Sequence, residues 1–218
     1  QWTKKLGTWQ NDLANGVATD SSGNFYVTGF TYQDMDGNTS AGNADLFVAK
    51  YNSSGTKQWT KQLGTSKHDR ARGVATDSSG NVYVTGDTYG GLDGNTSAGY
   101  NDLFVVKYNS SGTKQWTKQL GTSSTDLANG VTTDSSGNVY VAGGTYGGLD
   151  GNTNAGNSDL FVVKYNSSGT KQWTKQLGSS GRDSANGITI DSSGNVYVTG
   201  VTFGGLDWNT SAGANDLF

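Results

Sequence analysis

Apolar residues along this chain alternate with polar ones over short runs and never recur at helical spacing. In the run 102–109, Phe104, Val106 and Tyr108 fall on one side and Val105 and Lys107 on the other, which predicts a strand with one wetter face. Runs 72–77, 81–88 and 113–120 read the same way: short, rich in Val, Tyr, Phe, Trp and Thr, and bounded by Gly, Ser, Asn and Asp. Run 113–120 is less regular. Trp116 and Leu120 share a side with Lys118, so the pattern predicts a bulge there or a lysine that snorkels out. Ser-Ser-Gly joins the first run to the second and the third to the fourth. An Asp or Asn opens each turn, where its side chain caps backbone N–H groups, and Gly closes it, where φ must be positive. The segment DSSGN is therefore hairpin chemistry, although out of context it resembles a phosphate or metal loop.

The whole pattern returns every 57 residues, so DSSGN starts at 20, 77, 134 and 191. The units are 1–57, 58–114, 115–171 and a truncated 172–218. A period near 50 with four strands in each predicts propeller blades. The expected fold is all-β: a β-propeller of four-stranded blades, about four in this chain, as a closed four-bladed ring or a segment of a longer propeller or assembly. The opening QWTKKLG has a fourth-strand sequence and the chain ends inside a third strand, so strand order permits Trp2 to pack on Phe218 and complete the last blade. Ten residues are missing from that seam, which favours the segment. The opening Gln1 reads as a processed or excised form.

The stretch from Asp-x-Ala-Asn-Gly through DSSGNVYVTG, followed by DLFVVKYNSSGTKQWTKQLG, resembles the SBBP-type bacterial β-propeller repeat across practically the whole chain. The resemblance implies a propeller in a secreted or cell-surface bacterial protein and carries over no catalytic residue. The chain departs from its own repeat at Trp9, at Gln33-Asp34-Met35 and at Trp208, where the pattern prefers Ser, Gly-Gly-Leu and Gly.

Composition narrows the function classes. Only 32% of residues are hydrophobic, yet the net charge is −3 and there are 6 Trp and 11 Tyr, which suits a folded chain with a thin core per unit. No Cys is present, so disulfides and thiolate chemistry are excluded. No apolar run is long enough to span a membrane, no signal segment opens the chain, and no basic stripe offers itself to nucleic acid. A Ser/His triad would rest on His68 alone, which reads as a solvated loop residue. An enzyme is not expected.

Units two and three differ at ten of 57 positions, and eight of these lie in or beside the two longer connections. Up-and-down strand order puts those connections on one face and the fixed Ser-Ser-Gly turns on the other. A rigid scaffold presenting variable loops suits binding, although unconstrained loops also drift. Trp9 and Trp208 are the two Trp outside the QWT strands. They are the leading ligand-binding candidates, with Tyr100 and Arg182 beside them, and they meet if the ring closes. Replacing both Trp should leave stability nearly unchanged. The loop 34–42 offers Asp34, Asp36 and Asn38 as calcium ligands, although the same residues form ordinary turns. Asp12, Asp69, Asp126 and Asp183 recur just before the first strand, as strand caps or as a cation-holding ring. N-x-Ser/Thr matches are read as turns. The expected function is a non-catalytic, secreted or surface-displayed module binding a glycan or protein. The alternative is a self-associating structural subunit of a filament or layer.

Overall fold

The computed structural model describes residues 3–218. Blade one is β1 (Asp12–Thr19), β2 (Phe25–Thr31), β3 (Asp45–Tyr51) and β4 (Lys57–Leu63). Blade two is β5 (Asp69–Thr76), β6 (Val82–Thr88), β7 (Asp102–Tyr108) and β8 (Lys114–Leu120). Blade three is β9 (Asp126–Thr133), β10 (Val139–Thr145), β11 (Asp159–Tyr165) and β12 (Lys171–Leu177). The last has β13 (Asp183–Ile190), β14 (Val196–Thr202) and β15 (Asp216–Leu217). Each sheet is antiparallel with strands in chain order, four-stranded in the first three blades and three-stranded in the last. The innermost strands β1, β5, β9 and β13 run side by side about a common axis.

Each Ser-Ser-Gly turn is built as its chemistry dictates. Asp134 Oδ1 accepts the N–H groups of Ser136 (2.9 Å) and Asn138 (2.9 Å), and Oδ2 accepts Asn138 Nδ2 (2.7 Å) and Tyr140 Oη (3.1 Å). Gly137 closes the turn at φ 74°. Burial alone would raise the Asp134 carboxyl, but these donors hold it below its ordinary value of 3.8. Asp134→Ala should cost about 2 kcal/mol at neutral pH, because several net-favourable hydrogen bonds go at once. A depressed carboxyl stabilises the fold above its unfolded pKa and loses that contribution as the pH falls through the folded value. The gap between parent and variant in denaturant melts should therefore narrow below pH 3.8. A constant gap would assign the loss to something other than the charged carboxylate.

The core lies between blades. Tyr83, Leu103 and Val105 of blade two pack against Val139, Val141, Phe161 and Val163 of blade three. Tyr26, Leu46 and Val48 of blade one meet Val82, Val84, Phe104 and Val106 of blade two in the same way. The expectation that the Val105/Lys107 side is wetter is corrected here. Blade two is sandwiched between blades one and three, so Val105 is fully buried, and Lys107 lays its Nζ 5.3 Å from the Tyr83 ring centroid while donating to Ser167 O at 3.0 Å. Lys118 does not sit at a bulge, since it pairs in register with Val105; the irregularity of this strand pair falls at Gln115, where Lys107 pairs with Trp116 and Tyr108 with Lys114.

One further expectation changes, and of the two readings of closure the closed ring is not found. The innermost strand of blade two begins at Asp69, three residues before the run at 72–77, so position 70 belongs to a strand and not to a connection. Residues 3–11 form no strand, and no sheet joins them to the last blade, so no ring closes among the described residues. Lys4, Lys5 and Leu6 instead line a cavity of about 310 Å³ against Phe25, Val27, Phe47 and Tyr51 of blade one. Trp2 lies outside the described residues, and Phe218 packs into the cluster between blades three and four.

Each innermost strand carries one bulge, and it decides what faces the axis. Ala71 pairs with Gly86 and Gly73 with Thr85, leaving Arg72 unpaired between them. Asn15, Asn129 and Asn186 are the bulged residues of the other blades. The glycine opposite is obligatory. A Cβ on Gly86 would stand 1.9 Å from the carbonyl oxygen of Arg70, and one on Gly143 would stand 1.8 Å from that of Leu127.

Candidate functional site

The two ends of the blades differ in character. At one end the Ser-Ser-Gly turns are stitched together: Lys50 Nζ and Trp59 Nε1 both donate to Ser110 O, at 3.0 and 3.3 Å. At the other end the long connections meet the links between blades. Short parallel bridges join Ala44 to His68, Asn101 to Thr125 and Ser158 to Arg182. Tyr89, Tyr146 and Phe203 then donate their N–H groups to His68 O, Thr125 O and Arg182 O, each at 2.9 Å. The variable connections therefore share one face, as strand order requires.

On that face Trp208 is fully exposed, Trp9 is 81% exposed and Tyr100 72%. Arg182 is exposed as well. The two Trp rings do not meet: with no ring closure, the N-terminal link and the last blade are not neighbours in any sheet, and exposure this high leaves neither ring covered. Trp208 also holds an unfavourable backbone. It stands where the other units have Gly37, Gly94 and Gly151 at φ 79–81°, and its own φ is 68°. Tyr100 lines a groove of about 330 Å³ with Lys67, Tyr89, Gly99 and Ser123.

The loop 34–42 commits its polar groups locally. Asp34 Oδ1 accepts Ser40 N–H at 2.7 Å, and Asn38 Nδ2 donates to Met35 O and Thr60 O at 2.9 and 3.2 Å. Asp36 is ion-paired with Lys57. Burial would raise its carboxyl, but the Lys57 ammonium holds it below the ordinary value. The recurring Asp residues serve as caps. Asp69 Oδ2 accepts Thr65 N–H (2.6 Å) and Oγ1 (2.9 Å), and its Oδ1 accepts the Thr88 hydroxyl. Asp126 repeats this with Thr122 and Thr145, and burial pushes both carboxyls up against these hydrogen bonds. Among the described residues, no three His, Cys, Asp or Glu side chains converge on one point.

His68 is not the solvated residue its loop position suggested. The bridge to Ala44 draws it inward, where its ring lies edge-on between Tyr32 (6.2 Å) and Tyr89 (5.8 Å). Beside it, all four blades contribute to an opening of about 480 Å³ at the variable-face end of the axis. Its lining is Asn15, Phe30, Arg70, Arg72, Asn129 and Asn186. Asn15 and Asn129 tie neighbouring blades together by donating to Ala71 O and Ala185 O at 2.8 Å. Arg72 instead donates Nε to the buried Asp87 Oδ1 at 2.6 Å, and Asn101 Nδ2 donates to Asp87 Oδ2 at 3.0 Å. Arg70 lies over the rings of Phe30 (5.6 Å) and Tyr89 (5.9 Å). Sequence reasoning did not assemble this site. The signal was present, since positions 68, 70, 72, 87 and 101 are half of the ten differences between units two and three. Only the bulge shows that they converge.

A family model described as SBBP, beta-propeller repeat, matches residues 1–34, 58–93, 115–150 and 172–207. Two curated proteins are similar. An uncharacterised WD repeat-containing protein of Acanthamoeba polyphaga mimivirus is 27% identical over 231 residues, 83% of this chain and 17% of its own length. The regulatory protein FlaEY of Caulobacter vibrioides is 26% identical over 175 residues, 73% of this chain and 18% of its own. The chain thus spans less than a fifth of either relative. Among solved structures, a luciferin-regenerating enzyme is similar at 12% identity with a TM-score of 0.42, covering 86% of this chain and 68% of that one.

Proposed function

We propose that this chain, which belongs to the SBBP beta-propeller repeat family, acts as a non-catalytic binding module, secreted or displayed on a cell surface, whose variable face meets a glycan or protein. The observation that carries this reading is the asymmetry of the two faces. One is a closed row of near-identical turns, and the other presents Trp9, Tyr100 and Trp208 at 72% exposure or more. Exposed aromatic rings offer surfaces for stacking and anchoring, and sugar faces and protein partners both use them. Screening the full chain on a glycan array, with a Trp9→Ser/Trp208→Gly variant alongside, tests it. Selective binding by the parent and not by the variant is expected. Equal binding by both would remove the Trp pair from the site.

Calcium is an accompanying proposal at Asp34, Asp36 and Asn38. An extracellular site of this kind would bind at about 10⁻⁴ to 10⁻³ M, and the ion would have to displace Lys57 from Asp36. Lys57→Ala should therefore tighten calcium several-fold in titration calorimetry. No heat from either protein at millimolar calcium overturns it.

A structural reading, self-association into a filament or layer, has one observation in its favour. Tyr197 is 54% and Leu217 88% exposed on the last blade, whereas Tyr83 and Leu103, at the same repeat positions, are fully buried by the next blade. Light scattering separates the readings: a concentration-dependent rise in mass supports assembly, and a constant mass supports the discrete module.

A further inference from the structure

We infer that the axial opening between Arg70 and Arg72 is a binding site for a carboxylate-bearing sugar, with Arg70 as the group that receives the carboxylate. The argument begins with what Arg70 lacks. No hydrogen bond or ion pair engages any of its five N–H groups among the described residues, and its Nε is shielded from solvent without a partner. A guanidinium in that state is costly, because a desolvated donor left unmade forfeits its hydration. What holds it is aromatic: Phe30 and Tyr89 lie at 5.6 and 5.9 Å. Rings that engage the cationic plane leave the in-plane N–H fork for an acceptor, and a planar carboxylate matches that fork bidentately.

The surroundings select the rest of the ligand. Arg72, the second cation of the opening, is already balanced by Asp87, so the site carries about one uncompensated positive charge and suits a monoanion. Asn15, Asn129 and Asn186 ring the same opening with amide groups, which donate to and accept from hydroxyls. Phe30 adds an aromatic surface. An opening of about 480 Å³ is in the range of small-molecule sites. One charge, several hydroxyl partners and an aromatic wall together describe an acidic monosaccharide unit.

The same positions in the other blades argue against a purely structural role. Where blade two has Arg70, they have Leu13, Leu127 and Ser184, and where it has Asp87 they have Phe30, Gly144 and Val201. Those blades share its fold without the charges. The sibling residues are therefore test substitutions that the scaffold already accepts.

The experiment titrates the full chain with sodium glucuronate, sodium acetate and glucose, by calorimetry and by the Arg70 Nε–H resonance. Parent protein should bind glucuronate, shift that resonance, bind acetate more weakly and show no heat with glucose. Arg70→Leu should weaken glucuronate at least tenfold without lowering the melting temperature. Arg70→Gln serves the same test should the leucine variant fold poorly. The Trp9→Ser/Trp208→Gly variant should bind glucuronate as the parent does, so this inference and the loop-face reading fail separately. Glucose binding as tightly as glucuronate, unchanged affinity in the Arg70 variants, or no shift of the Arg70 resonance would each overturn it.

Discussion

Gly143→Ala should destabilise the protein by about 3 kcal/mol or more, the upper range for an added group that packing cannot absorb. The new Cβ would stand 1.8 Å from Leu127 O, 2.8 Å from Leu127 C and 2.9 Å from Ala128 Cα. All three are backbone atoms on the innermost strand of the same blade, so no side chain can swing aside. The strand pair must part where the bulge begins, and Asn129 would lose the position from which it reaches Ala185 O. For a chain of this length a loss of that size lowers the melting temperature by roughly 10 °C. Ser135→Ala, an exposed turn position in the same blade, should stay within about 0.5 kcal/mol and serves as the control. Equal melting of Gly143→Ala and Ser135→Ala would mean that the close approach at the bulge is not needed.

The Trp9→Ser/Trp208→Gly variant should lose at least a hundredfold in affinity for the glycan or protein that the parent selects, because two aromatic anchors at about 2 kcal/mol each are removed. It should also melt slightly higher. Trp208 occupies a left-handed backbone conformation that costs a residue with a Cβ about 1 kcal/mol, and Gly relieves it. A bulky residue retained at φ 68° against that cost is the kind of local strain found at binding surfaces. Weaker binding combined with a lower melting temperature would instead mark both rings as structural.

The blade was legible because its information is local. Asp77, Gly80 and the alternation of Phe104, Val106 and Tyr108 each act within a few residues, and all appear where the pattern puts them. The start of the innermost strand was not legible. Asp69 reads as a cap, which it is, yet it also pairs with Thr88, and the bulge at Arg72 breaks the period-two alternation just beyond it. The axial site was hidden for a different reason. Asn15, Arg72, Asn129 and Asn186 are 57 residues apart in sequence and become neighbours only through the curvature of four stacked sheets. Exposure of Trp9, Tyr100 and Trp208 followed from their being in connections, whereas their separation depended on closure, a global property that no local pattern encodes.

The bulge gives each blade one residue that stands outside the pairing of its own sheet and faces the axis. Asn and Arg both occupy it while the rest of the strand keeps its register. A gene that lengthens by copying this unit therefore acquires, with each copy, one free letter facing the axis. Four such letters with even a few permitted residues spell many distinct channel mouths on an unchanged scaffold. The axial surface can then be rewritten by point changes at a single codon per blade while the strand register is kept.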